Sequence, residues 1–179
     1  IPQLLFTGRV VFQKGLDLLI GALSQLRELE WELSIIGDGS YKNQLHQMIE
    51  EQKLTSRVRF HGWCRQEELL PILAQAQIFI NPSRHEGMPN AVLEAMASGL
   101  PIIATRIAGN EDLVIDGVNG FLVSSENVGE LKNAIQALLT NKPLRLKMGD
   151  ASRKLAEEKF SWSHSGEAYL ELISKIANK

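Results

Sequence analysis

The sequence has 179 residues, a formal net charge of −2 and a pI near 6.1, so it carries no global basic footprint and nucleic acid is not its default partner. Hydrophobic residues make up 44%, and a chain of this length can bury about 70% of its unfolded surface as one domain. The single cysteine, Cys64, excludes an internal disulfide and a cysteine metal cluster, which fits a reduced, cytoplasmic setting.

His46, His61, His85 and His164 are scattered without ligand spacing, so no metal site is expected. No apolar run approaches the ~20 residues of a membrane span. The chain opens at Ile1-Pro2, without Met, and enters a strand almost at once. It reads as one domain, residues 1–179, cut from a longer protein, with Ile1-Pro2 as the end of a linker.

Residues 4–7 read as a short buried strand and residues 15–29 as a helix, with Leu16, Leu19, Ile20, Leu23 and Leu26 along one side. The loop between them carries Arg9 and Lys14, flanked by Gly8 and Gly15. Two cations at a strand's carboxyl end beside glycines can grip a diphosphate, or they can be ordinary exposed loop residues. Residues 32–36 form a second strand, followed by Gly37-Asp38-Gly39-Ser40 and a helix to about residue 53. Gly-x-Gly after a strand is a weak nucleotide signal, because Tyr41 and Lys42 stand where a third glycine is wanted. A tight turn with Asp38 or Ser40 capping the helix is the other reading.

A third strand covers residues 58–60 and leads into His61-Gly62-Trp63-Cys64-Arg65-Gln66-Glu67. Trp63 there can stack on a ligand or pack internally. Residues 67–74, with Pro71 in the middle, predict a short helix or a broken turn.

The most informative stretch is 78–105: an apolar run, a polar loop, an Ala-rich helix and a second apolar run, hence strand, loop, helix, strand. Pro89 suits a helix start, leaving the amides of Gly87 and Met88 beside a positive helix end, a ready anion site. Glu86 precedes the helix; Glu94 lies one turn beyond Asn90 on the same face, among Val92, Leu93, Ala95, Met96 and Ala97. A carboxylate in such surroundings needs strong partners, and a sugar's vicinal hydroxyls are suitable ones. Otherwise Glu86 only complements the helix dipole and Glu94 joins a structural ion pair.

Beyond the fifth strand (102–105), Arg106 to Asp112 predicts an amide-rich turn and a short helix with Glu111 at its start. Asp116-Gly117-Val118-Asn119-Gly120 is a turn, and residues 121–123 a sixth strand. Helices are expected over 128–139, 143–158 and 163–177. Ser161 or Ser163 would cap the last, whose Tyr169, Leu170 and Ile173 form an apolar stripe.

The frame Glu-Gly-Met-Pro-Asn-x-x-x-Glu-Ala-Met-Ala-x-Gly-x-Pro, from Glu86 to Pro101, resembles the donor-sugar motif of the family-four retaining glycosyltransferases of GT-B fold, the glycosyl transferases group 1. Gly-Arg-x(4)-Lys-Gly, from Gly8 to Gly15, resembles the diphosphate-binding pair of the same enzymes. The resemblance covers nearly the whole chain and implies the carboxyl-terminal, donor-binding half. It assigns Arg9 and Lys14 to the diphosphate, Glu86 to donor-sugar hydroxyls and Glu94 to the ribose. The amides of Gly87, Met88, Asn90 and His85 would complete the cradle.

By position it also puts Cys64 and Gln66 near the base edge and Gly37 and Gly39 beside the nucleotide. Glu86, Arg9 and Lys14 would be the catalytic set, transferring a hexosyl group from a nucleotide sugar, by default a UDP-sugar, with neither cofactor nor metal ion. The segment at Ala108-Gly109 departs from the family's Gly-Gly. An N-terminal acceptor domain would be missing from the chain, and any membrane contact would lie in that half. A non-catalytic nucleotide-binding or interaction module of the same fold is the alternative. A nicotinamide-dependent enzyme is disfavoured by the incomplete glycine fingerprint.

The expected architecture is an α/β, doubly wound, mostly parallel six-stranded Rossmann-like sheet with helices on both faces. Ligands in such sheets lie outside the carboxyl ends of the strands, where every candidate loop falls.

Overall fold

In the computed structural model, which describes residues 1–160, six strands form one sheet in the order β3-β2-β1-β4-β5-β6, every pairing parallel. They are β1 (Gln3–Thr7), β2 (Glu32–Ile36), β3 (Val58–Gly62), β4 (Ile78–Asn81), β5 (Ile102–Thr105) and β6 (Gly120–Val123). The helices are α1 (Leu16–Leu23), α2 (Lys42–Glu51), α3 (Gln66–Gln75), α4 (Asn90–Ala97), α5 (Ala108–Glu111), α6 (Val128–Thr140) and α7 (Lys142–Lys159). The helix expected over 163–177, with its serine caps and apolar stripe, lies outside the described residues.

The inner strands β4 and β5 are buried throughout because both sheet faces are covered, whereas the edge strand β3 exposes Arg59 and His61. Leu4, Phe6, Leu33, Ile35, Ile78 and Ile80 point into one core with α1, α2 and α6. Leu5, Ile36, Phe79, Ile102 and Ala104 point into the other, with α3, α4 and α7. Period-two alternation thus serves two cores at once.

Local boundaries moved where side chains took over from periodicity. The first helix was expected to reach residue 29 but stops at Leu23. Turns follow, and the buried Trp31 indole N–H donates to the Leu26 carbonyl at 2.9 Å, so Leu26 joins the core without being helical. Neither Asp38 nor Ser40 caps α2, whose N-cap Tyr41 makes no side-chain cap bond. Asp38 instead accepts from the Gly39 amide at 2.8 Å and pairs with Lys42 at 3.0 Å, contacts that hold its carboxyl below the ordinary carboxylate value. The segment with Pro71 is one helix, started by the Arg65 amide donating to Glu68 Oε2 at 2.8 Å; only the bond to the Glu67 carbonyl is forgone.

From β1 the chain winds to β2 and β3, then returns to the far side of β1 as β4. The reversal between β1 and β4 is a topological switch point, and it opens a crevice between the two loops that leave these strands.

Candidate functional site

Those two loops are stitched together. After β1 the chain makes a 3-10 turn at Phe12–Lys14, and the Gln13 carbonyl accepts from the Arg84 amide at 2.8 Å. Gln13 Nε2 donates to the His85 carbonyl at 3.3 Å. Arg84 then fastens the junction: its guanidinium donates twice to Asp17, at 2.8 and 2.7 Å, and once to the Phe12 carbonyl at 2.7 Å. It reaches Glu126 at 2.6 Å and lies 3.8 Å from the centroid of the Phe12 ring. Two carboxylates around one guanidinium hold Arg84 far above the ordinary arginine value.

The stitching brings Lys14 Nζ to 2.6 Å from Glu86 Oε1, although 72 positions separate them in sequence. Both side chains are mostly buried, 17% and 10% exposed. The Ser83 hydroxyl also approaches Glu86 Oε1, at 2.7 Å. Among the described residues nothing donates to Glu86 Oε2, and no buried side-chain oxygen is left unpaired, so Oε2 is the oxygen left open. Sequence reading separated the two roles, Lys14 for a diphosphate and Glu86 for a sugar; the fold joins the residues in one ion pair.

Beside this pair runs a cleft of about 380 Å³, lined by Thr7, Gly8 and Arg9, by Ile36, Gly37 and Asp38, by Trp63, Cys64 and Leu69, and by Ala91 and Glu94. Gly8 connects the two features, since a side chain there would start 3.9 Å from Lys14 Cε. The cleft therefore gathers Arg9, Gly37, Cys64 and Glu94. Arg9 is exposed and makes no ion pair among the described residues.

Gly39, Gly87, Met88 and Asn90 stand outside the cleft wall, and Gln66 is placed only as the first residue of α3. Gly39 lies against the Val10 carbonyl, so its position serves the contact between the first two loops. Gly37, at φ +128°, sits so close to Gly8 that a Cβ would start 1.9 Å from the Gly8 carbonyl oxygen. No other residue fits there. Gly87, Met88, Asn90 and Ala91 donate no backbone hydrogen bond among the described residues, so these four amides at the start of α4 are open, whereas Val92 donates to the Pro89 carbonyl at 2.9 Å.

Glu94 departs from expectation in one respect. It is exposed by area, not buried. Yet it faces concave, largely apolar walls, on the cleft and on a second hollow of about 340 Å³ between α4 and α7, and this desolvation pushes its carboxyl above the ordinary value. It enters no ion pair among the described residues.

Several residues outside the expected set of site residues shape the site. Trp63, left open between stacking and packing, is 75% exposed on the cleft wall. Ala91 shares the Glu94 face of α4, a helical spacing that was legible. Gly109 lies against Gly87, a Cβ there starting 2.0 Å from the Gly87 carbonyl oxygen; the second glycine position of that segment thus carries the contact, while Ala108 opens α5. Among the described residues no three His, Cys, Asp or Glu side chains converge as a cation site, and no helix is long and apolar enough to cross a membrane.

Comparison with known proteins agrees with this geometry. The family model for glycosyl transferases group 1 matches residues 2–155. The lipopolysaccharide core biosynthesis glycosyltransferase LpsE of Rhizobium meliloti is 31% identical over 173 residues, covering 97% of this chain and 50% of that protein. A GDP-mannose-dependent phosphatidylinositol monomannoside mannosyltransferase of Mycolicibacterium smegmatis is 32% identical, with 97% and 48% covered. Anabaena HepE, solved in complex with UDP, superposes with a TM-score of 0.89 at 26% identity, covering 97% of this chain and 48% of that one.

The C-terminal domain of the group 1 family protein LpcC from Francisella tularensis superposes with a TM-score of 0.79 at 24% identity, over 90% of this chain and 89% of that one, a likeness of fold alone. The chain spans about half the length of the curated relatives it matches. It belongs to the glycosyl transferases group 1 family, and its fold is that of the C-terminal domain of GT-B glycosyltransferases.

Proposed function

We propose that this chain is the donor-binding domain of a retaining glycosyltransferase that moves a hexosyl group from a nucleotide sugar to an acceptor. The observation that carries the reading is the crevice at the β1/β4 switch, where a cleft lined by Arg9 and Glu94 adjoins the Lys14 and Glu86 pair. The ribose sits against Glu94, the base lies toward Cys64 and the start of α3, and the diphosphate lies between Arg9, Lys14 and the free amides of Gly87, Met88 and Asn90. The open oxygen of Glu86 accepts from a sugar hydroxyl.

In the transfer, the bond from the anomeric carbon to the diphosphate oxygen breaks, its electron pair leaving with the phosphate, and a bond to an acceptor hydroxyl oxygen forms as that hydroxyl's proton passes to the departing phosphate. Negative charge grows on the departing diphosphate, where two cations and a helix end offset it without a metal ion. UDP is the proposed base, supported by the UDP complex of HepE; the GDP-mannose dependence named for the mycobacterial relative makes guanine the competitor. The acceptor is held by an N-terminal domain beyond this chain, and the protein works in the cytoplasm, with any membrane contact made through that other half.

Calorimetry with UDP and UDP-glucose, and with GDP and GDP-mannose, tests the donor reading: one pair should bind this chain, which by itself should transfer little sugar because closure between domains completes the site. No binding by any of them would remove the reading. In the intact protein, Glu86→Ala and Glu94→Ala should each lower transfer by orders of magnitude; unchanged transfer would leave a nucleotide-binding module without chemistry. The product's anomeric configuration, read by NMR, tests retention.

A further inference from the structure

Lys14 has two claims on it, the diphosphate in the proposed function and Glu86 in the structure. If Lys14 swings to a phosphate, something else must keep the Glu86 carboxylate in place. Ser83 is that something. It is fully buried, and its hydroxyl lies 2.7 Å from Glu86 Oε1 and 2.7 Å from Asn81 Oδ1.

The residues behind Ser83 form a closed buried circuit. Asn110 Nδ2 is 2.9 Å from the Thr105 carbonyl oxygen, which can only accept, and this fixes the Asn110 amide. Asn110 Oδ1 then accepts from Asn81 Nδ2 at 2.9 Å, so Asn81 must turn its oxygen toward Ser83. The Thr105 hydroxyl donates to the Ser83 carbonyl, which grips Ser83 by its backbone as well. Asn81, Ser83, Thr105 and Asn110 are all at most 4% exposed, and such a satisfied network is rigid. The Ser83 hydroxyl has one proton for two acceptors: while Lys14 supplies Glu86 Oε1 the proton can serve Asn81 Oδ1, and when Lys14 leaves it turns to the carboxylate, the charged and stronger acceptor. Lys14 is a long, flexible donor able to leave, whereas Ser83 is short and fixed.

The geometry points to Ser83 as a positioning residue for Glu86: backed by Asn81, Thr105 and Asn110, it holds Oε1 so that Oε2 keeps facing the donor sugar while Lys14 engages the diphosphate. This rests on the donor reading given above. Ser83 touches no ligand itself; it acts through Glu86.

The test compares, for this chain, the Kd of each sugar nucleotide (UDP-glucose, UDP-N-acetylglucosamine, GDP-mannose) with that of its own nucleoside diphosphate. Ser83→Ala should weaken the sugar nucleotide by about tenfold, the loss of a hydrogen bond to a charged group, while the nucleoside diphosphate stays within about twofold. A merely structural Ser83 would weaken both alike or neither. Ser83→Cys, similar in size but a weak donor, gives the same comparison if the alanine variant does not fold. Asn110→Ala should shift the ratio in the same direction, less strongly. An unchanged ratio in Ser83→Ala or Ser83→Cys, with nucleotide still bound, overturns this inference alone; a wild-type chain that binds no nucleotide overturns the donor reading with it.

Discussion

Arg84 and Asp17 form a two-pronged ion pair, Nη1 to Oδ1 at 2.8 Å and Nη2 to Oδ2 at 2.7 Å, that joins the loop after β4 to the first turn of α1. The loops that leave β1 and β4 carry three cations, Arg9, Lys14 and Arg84. Arg84 alone is saturated, by Asp17 and Glu126, so it serves as a fastening and leaves anions to the other two. Arg84→Ala strands the mostly buried Asp17 and releases the exposed Glu126. It should lower stability by on the order of 3 kcal/mol, read by urea denaturation, and Arg84→Lys should recover only part of that because lysine lacks the planar fork.

Arg9 and Lys14 should part company when each is replaced. Arg9→Ala removes one exposed cation, and the Kd for UDP should rise by roughly tenfold, with a shallower dependence on salt. Lys14→Ala also frees Glu86, so the sugar nucleotide should suffer more than UDP does. Titration calorimetry at two salt concentrations separates the two patterns.

Trp63 offers a bare indole on the cleft wall, 75% exposed. If a base stacks on it, Trp63→Ala should cost UDP binding about 1 kcal/mol or more with the melting temperature almost unmoved, since little packing is lost. A fall in melting temperature with unchanged Kd would give the indole a packing role instead.

Glu94 sets a pH dependence. Its carboxyl is raised by desolvation, so between its unfolded and folded values the native state holds more protons, and stability falls as pH rises through that window. The destabilisation is complete above the folded value and absent below the unfolded one. Nucleotide binding runs the other way: a ribose diol donates to the ionised form, so affinity should drop as pH falls through the raised value. Glu94→Gln should flatten the stability term and bind UDP weakly at every pH, measured by thermal melts and calorimetry from pH 4 to about pH 8.

The elements were legible because their signals are local. Leu4 to Phe6 and Ile78 to Ile80 announce two-faced strands, and Pro89 with the Ala-rich run announces α4. Even the misplaced ends have local causes: the Trp31 bond to Leu26 and the left-handed Lys53, φ 53°, which closes the turn after α2. The acids and cations of the site were legible as a set, from their spacing and from the loops that carry them.

What the sequence by itself determined, then, is which segments are strands and helices, that they alternate into a doubly wound sheet, and which charged residues lie at the strands' carboxyl ends. Only the tertiary structure decided who meets whom. Lys14 reaches Glu86 across 72 positions because the order β2-β1-β4 sets their loops side by side. The same order gives Arg84 its two acids, leaves Arg9 and Glu94 without an ion pair among the described residues, and turns Ser83 toward Glu86. Partner choice among like charges depends on distances of a few ångströms in three dimensions, and hydrophobic periodicity along the chain carries no information about them.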